Sequence, residues 1–245
     1  MNRLPAIRRT LSFCVASVFL IAAPLSYAQR GGGQPQRAPR AAAPIDLTGY
    51  WVSSVTEDWK YRMVTPPKGE YGGLPLNAEG RKFADTWDPA KDERAGEQCK
   101  AYGAAALMRM PGRLHITWEG DSTLHVDADA GTQTRLFRFG PPQAQSGARS
   151  WQGNSAAQWQ PQGSLKVVTG NMRAGYLRKN GVPYSENAVL TEYFERITAP
   201  GGDEWLIVTA IVEDPLYLNT PYVTSSQFKK LADASGWNPT ACSAR

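Results

Sequence analysis

The amino-acid sequence predicts an all-β protein: an up-and-down antiparallel barrel of about eight strands with a short helical insertion after the first strand. Three observations predict it. Short runs alternating apolar and polar residues recur from Arg113 to Val212, separated by Gly-, Pro- and Asp-containing turns, as half-buried strands require. An earlier run, Thr48–Thr56, alternates in the same way and stands alone before a stretch of different character. All eight tryptophans lie within residues 45–245, ample material for one core. A two-sheet sandwich is the alternative arrangement of the same strands.

The N-terminus reads as a secretory signal. Arg3, Arg8 and Arg9 form a basic n-region, Leu11 to Ala23 is apolar, and Ser26-Tyr-Ala28 places small residues before a cleavage site at Gln29. The apolar run is shorter than the roughly 20 residues that a membrane-spanning helix needs, so no membrane insertion is expected. Thr10-Leu11-Ser12 fits a twin-arginine signal poorly, and a Sec-type signal over residues 1–28 with a periplasmic or secreted product is expected. Residues 29–44 hold no apolar side chain larger than alanine or proline and read as a disordered linker. Residues 45–245 then form a single barrel domain.

The charge changes sign when the chain is divided this way. The whole chain carries +5. The signal removes three arginines and the linker three more (Arg30, Arg37, Arg40) with no acid, leaving 5 − 3 − 3 = −1 for the body. A nucleic-acid partner therefore has no electrostatic footing. Cys14 leaves with the signal, and the remaining pair, Cys99 and Cys242, is expected to form a disulfide in an oxidising compartment.

Along the body, the first strand, Thr48–Thr56, gives way to Glu57-Asp58-Trp59 and to breakers at Pro66-Pro-Lys-Gly69. Asn77 is positioned to cap a helix over Ala78–Trp87, which Asp88-Pro89 ends. Leu114, Ile116 and Trp118 are expected to face Leu124, Val126 and Ala128 across a turn at Gly120-Asp121. Thr132–Phe139 follows, then a hairpin of Trp151–Gln160 with Ser164–Gly170. Met172–Tyr184 reads as irregular around an Asn180-Gly181 turn. Ala188–Ile197 and Glu204–Val212 form a long hairpin whose second strand is apolar on both faces. Leu216–Arg245 shows no clean period and is expected to wrap the domain.

Gly49-Tyr-Trp51 on the first strand, with antiparallel strands following, is similar to the start of lipocalin and calycin barrels. The chain also resembles a family of uncharacterised secreted bacterial proteins. The resemblance rests on Gly49-Tyr-Trp51, Glu57-Asp58 with Arg62, Met110-Pro111, Arg135, Gly153 with Ser155 and Trp159, Gly181-Val-Pro-Tyr-Ser185, Glu192 with Arg196, and Glu213-Asp-Pro215. It implies a barrel and lends no reaction. The chain departs from lipocalins in its long insertion and in lacking a C-terminal amphipathic helix.

Charged residues that share strand parity with large apolar ones are the candidates for function. Arg135 shares parity with Phe137 and Phe139, and Glu192 and Arg196 share theirs with Leu190 and Phe194. If those faces point inward, they form an ionic group in an apolar interior; an ion pair that only sets register is the plainer reading. Two acidic pairs, Glu57-Asp58 and Glu213-Asp214, fall at opposite barrel ends for eight strands and at one rim for an odd number. His115 and His125 are expected on the polar face with a structural role, and Ser155 and Ser185 as turn residues.

No phosphate loop, dinucleotide fingerprint, haem-attachment or zinc spacing occurs, so neither cofactor nor metal is expected. The expected function is binding of a small apolar or aromatic molecule in the barrel cavity. Trp51, Trp59, Phe137, Phe139, Tyr184 and Phe194 would form its walls, with Arg135 and Arg196 at polar positions. The alternative is a cofactor-independent isomerase, lyase or hydrolase, with Asp58 or Glu192 as base and Arg62 or Arg135 stabilising an anion. A structural protein of the envelope is a third reading.

Overall fold

A computed structural model describes residues 37–141 and 147–245; the expected signal peptide lies outside the described residues. Strand β1 (Gly49–Ser54) leads into four short helices, α1 (Trp59–Met63), α2 (Ala78–Ala84), α3 (Pro89–Arg94) and α4 (Ala104–Leu107). Strands β2 (Arg113–Glu119), β3 (Thr123–Ala128), β4 (Gln133–Phe139), β5 (Asn154–Trp159) and β6 (Leu165–Gly170) follow. A small hairpin of β7 (Gly175–Arg178) and β8 (Val182–Tyr184) precedes β9 (Val189–Thr198), β10 (Glu204–Glu213) and β11 (Tyr222–Leu231).

Nine strands close a barrel in the order β1-β11-β10-β9-β6-β5-β4-β3-β2, and β7-β8 stand outside it. The expectation of eight strands in pure up-and-down order is thus corrected twice. The ninth strand, β11, lies in the tail read as a wrap, pairing with both β10 and β1. Its pattern hid it: Tyr222, Ser226 and Phe228 are buried while Val223 on the other face is 59% exposed, so apolar alternation fails although the chain is extended. The second correction is the parallel contact of β4 with β5. A parallel neighbour requires a connection of about a dozen residues or more, and Phe139 and Asn154 are that far apart in the sequence.

Inside the barrel the predicted facing holds. Leu114 pairs with Ala128, Ile116 with Val126 and Trp118 with Leu124. Trp51 is wholly buried, its indole donating to the Leu47 carbonyl (2.9 Å). With Phe137, Phe194, Leu165, Leu206 and Phe228 it belongs to one packed cluster inside the barrel. On β10 the inward face (Leu206, Val208, Ala210, Val212) is buried, but the outer one is only half-buried, less covered than its apolar sequence implies.

The second half of the expected linker is seated against the barrel. Residues 37–44 lie on the barrel: the Arg40 amide donates to the Asp121 carbonyl (3.0 Å) and the Trp159 indole to the Pro39 carbonyl (2.9 Å). A half-buried indole N–H needs an acceptor, and Pro39 supplies it.

The helical insertion and the β7–β8 hairpin share a second apolar cluster built on Leu74, Leu76, Leu177, Val182 and Tyr184. Asn77 caps α2 as expected, accepting from the Gly80 amide (2.8 Å), and α3 starts at Pro89 with Asp88 as its cap. The segment read as irregular thus contains a hairpin, turning at Asn180-Gly181. Gly181 takes φ +83° there, and a Cβ on it would lie 2.3 Å from Trp87. The disulfide Cys99–Cys242 joins the insertion to the C-terminus, closing 143 residues of sequence separation with the Cα atoms 5.1 Å apart. A loop that long constrains the unfolded chain by on the order of 4–5 kcal/mol.

Candidate functional site

Strand parity does bring Arg135 and Glu192 together, in the barrel interior and fully buried. The pair is bidentate: Nη1 to Oε1 at 2.9 Å and Nη2 to Oε2 at 2.6 Å. Nη2 also donates to Thr169 Oγ1 (3.1 Å), which in turn meets Ser155 Oγ (2.8 Å), and the guanidinium lies 4.8 Å from the Phe137 ring centre. Both carboxylate oxygens of Glu192 are therefore occupied by one cation. Phe137 packs on Phe194 at 5.2 Å, and Phe139 fills space between Trp118 and Trp159. Arg196 shares the strand but not the group: it pairs with Glu204 near the barrel end. Ser185 is a turn residue whose amide and hydroxyl both donate to Asp214 (2.6 and 2.8 Å).

The second half of the opening stretch lies outside the barrel. β1 and β10 each run antiparallel to β11, so they share a direction, and both acidic pairs leave the same barrel end. They serve separately. Glu57 pairs with Arg62, and Asp58 with Arg109 (2.8 Å), whereas Asp214 holds the Ser185 turn. Asp58 reaches Arg109 from a left-handed conformation (φ 49°) at the cap of α1. Trp59 is 64% exposed beside Met63 and Val64. No group of three or more His, Cys, Asp or Glu takes a metal-holding arrangement among the described residues. His115 stacks on Tyr50 at 4.0 Å between ring centres and pairs with Asp127 across the strands.

A cleft of about 300 Å³ opens among the insertion, the β7–β8 hairpin and the turn after β10. None of its lining residues belongs to a barrel strand. Phe83, Tyr176, Tyr184 and Tyr217 form its aromatic part, and Lys100, Arg149, Arg173, Glu97 and Glu186 its charged part. Tyr176 donates to Asp92 (2.8 Å), and Lys100 bridges Asp92 and Glu97 (2.8 and 2.9 Å). Arg173 pairs with Glu97 (2.6 Å) and lies over Trp151 at 4.4 Å, yet its side chain stays 43% exposed; Arg149, paired with Glu186 (3.3 Å), stays 37% exposed.

Electrostatics follow from this arrangement. The hydrogen bond from Lys100 and the charge of Arg173 hold the Glu97 carboxyl below its ordinary value. Burial works against the Lys100 ammonium, but Asp92 and Glu97 outweigh it and raise its pKa. Burial pushes the Tyr176 phenol up, and Asp92 adds to the effect. Burial does the same to Tyr184, whose hydroxyl finds no partner among the described residues and is seated against Gly103 and Gly175; a Cβ at either would come within 2.2 or 2.6 Å of it. Tyr184 thus backs the cleft wall with its hydroxyl turned into the packing.

Of the expected ligand residues, Tyr184 alone lines this cleft; Trp51, Phe137 and Phe194 are core, and Trp59 faces solvent. Arg149, Arg173 and Arg109 were not singled out by sequence. For Arg109 a signal existed: it interrupts the small apolar run Ala104–Met110, where a solvated arginine would be out of place. The cleft arginines sit in loops, where no period ranks one charge above another.

No family model matches the chain, and no curated protein matches it.

Proposed function

We propose that the protein binds a small aromatic molecule carrying an anionic or polar substituent, in the cleft beside the barrel rather than within it. The single observation that carries this reading is the cleft's composition. Four aromatic rings, three cations and two carboxylates meet in about 300 Å³, with Arg149 and Arg173 still partly open to solvent beside their partners Glu186 and Glu97. That volume is at the small end of ligand pockets, which run from about 300 to 1,000 Å³. Rings would stack on Tyr217 and Phe83, while an arginine fork receives the anion.

The alternative of a cofactor-independent enzyme finds less support. Glu192 is bound to Arg135 through both oxygens, Asp58 is held by Arg109, and the cleft carboxylates Glu97 and Glu186 are ion-paired. A general base needs a free oxygen within reach of the proton it removes. The disulfide fits an oxidising periplasmic or secreted setting, and the calycin-like resemblance is retained as a reading of the opening strand.

Calorimetric titration with benzoate, phenylacetate and indole tests the proposal. Saturable binding of the carboxylates is expected, weakened about tenfold by Arg173→Ala as one charge-assisted contact is lost. Absence of saturable binding, or binding indifferent to Arg173→Ala and Tyr217→Ala alike, would remove the cleft from consideration.

A further inference from the structure

A second recess lies between α1, the end of α4 and β7, lined by Tyr61, Arg62, Ala106, Arg109, Met110, Leu177, Arg178 and Lys179. Its volume is about 20 Å³. It contains three arginines, each more than nine-tenths buried: Arg62 at 8%, Arg109 at 9% and Arg178 at 5% exposure. Each has one buried guanidinium nitrogen (Arg62 Nη2, Arg109 Nη1, Arg178 Nη1) that meets no acceptor among the described residues. A buried donor without an acceptor is costly, and three in one place are exceptional.

The charges do not balance. Glu57 answers Arg62 and Asp58 answers Arg109, but Arg178 makes no ion pair among the described residues; its Nη2 donates to the Gly72 carbonyl (3.1 Å), and the neutral Tyr222 hydroxyl lies beside the guanidinium. Three cations against two carboxylates leave 3 − 2 = +1 for the three arginines. The arginines are held in place regardless of a ligand. Arg62 Nε donates to the Arg109 carbonyl (2.9 Å), Arg178 lies 4.1 Å from the Tyr61 ring centre and Arg109 5.9 Å from that of Tyr222. Burial lowers the pKa of Arg62 and Arg178, and the neighbouring charge of Arg109 acts in the same direction. Guanidinium groups nonetheless stay protonated in proteins, so the site is a preformed positive recess.

We propose that Arg62, Arg109 and Arg178 form a binding site for one small monovalent anion, either a halide or the carboxylate of a small organic acid. The size of the recess sets the limit. A volume of about 10–15 Å³ on this measure holds one water-sized group, so one chloride or one carboxylate oxygen fits and a bulky oxyanion cannot enter whole. An anion there would accept from all three free nitrogens and cancel the uncompensated charge. The residues differ from those of the aromatic cleft, and the site stands or falls independently of it.

Melting temperature measured against sodium chloride and, separately, sodium formate tests the site, with ionic strength held constant by a bulky sulfonate salt. A saturable rise is expected for the wild type, because an anion that binds only the folded state stabilises it by mass action. Saturation by chloride alone identifies a halide site, and saturation by formate alone a carboxylate site. Arg178→Met should abolish the saturable component. Asp58→Asn, which keeps the shape of the side chain and an oxygen acceptor for Arg109, should move the midpoint to about fivefold lower anion concentration by removing a competing carboxylate. Crystals soaked in bromide should show an anomalous peak among the three guanidinium groups. A salt response that is unsaturable and identical in wild type, Arg178→Met and Asp58→Asn overturns the proposal.

Discussion

Arg135 in the barrel and Arg178 outside it are buried to a similar degree but are treated in opposite ways. Arg135 has a carboxylate facing it in bidentate geometry, a threonine behind that and a phenylalanine ring beneath, with only Nε left over. Arg178 has a ring and a carbonyl but no anion, and its two neighbours share too few acids to cover it. The first arrangement is closed and complete, as a pair that fixes strand register should be. The second is a positive group held open by its surroundings. The same contrast runs through the molecule: the barrel interior is filled with side chains, and both recesses are lined entirely by residues outside barrel strands. The barrel supports the insertions, and the insertions carry both recesses.

The largest expected effect tests the closed half of that contrast. Arg135→Met leaves the Glu192 carboxylate buried without a partner and should destabilise the fold by about 3–5 kcal/mol, read as a drop in urea midpoint at constant m. Replacing both partners, as Arg135→Met with Glu192→Leu, should recover most of the loss, because the uncompensated charge is gone. If the double variant is as unstable as the single one, the group is more than a register pair. Arg178→Met probes the open half. Measured without added halide or formate, it should cost less than about 1.5 kcal/mol, the loss of one hydrogen bond and some ring contact offset by removal of an unpaired buried charge. A cost equal to that of Arg135→Met would erase the distinction between the two arginines.

Tyr184→Phe should be smaller again, within about 1 kcal/mol of wild type and on the stabilising side, because the deleted hydroxyl is buried without a partner. The sign with pH follows from its raised pKa. The contribution is complete below the ordinary phenol value of 10.0 and is lost as pH rises toward the folded value. Tyr184→Phe should therefore flatten the alkaline limb of the stability curve. Glu97→Gln should have the smallest effect, under about 1 kcal/mol for a partly exposed pair. Its carboxyl is depressed below 4.5, so its contribution is present above that pH and disappears as pH falls through the folded value. Denaturation between pH 3 and 7 should show a shallower acid limb in the variant.

Much of the closed half was legible because strands repeat every two residues. That period alone placed Arg135 with Phe137 and Glu192 with Phe194 on shared faces; that those faces point indoors is decided by the closed barrel. The Asn77 cap, the Asn180-Gly181 turn and the pairing of β2 with β3 were readable for similar local reasons. β11 was missed because Ser226 faces in and Val223 faces out, against the pattern that marks a strand. The parallel entry of β5 depends on where a crossover lands, which no local pattern encodes.

The open half was legible only in part. Glu57-Asp58 and Arg62 stood out as charges beside a strand end, but Arg109, which pairs with Asp58, and Arg178, which lines the same recess, come from distant segments. The first stretch, from Gly49 to Arg62, therefore divides. Its strand half follows from alternation and from a tryptophan too large to be left in water, so the amino-acid order alone dictates it. Its charged half acquires meaning only when α4 and β7 are folded against α1, because charge balance is a property of what surrounds a residue in space. One more carboxylate brought to that place would have made a closed pair; its absence left three arginines facing a common recess.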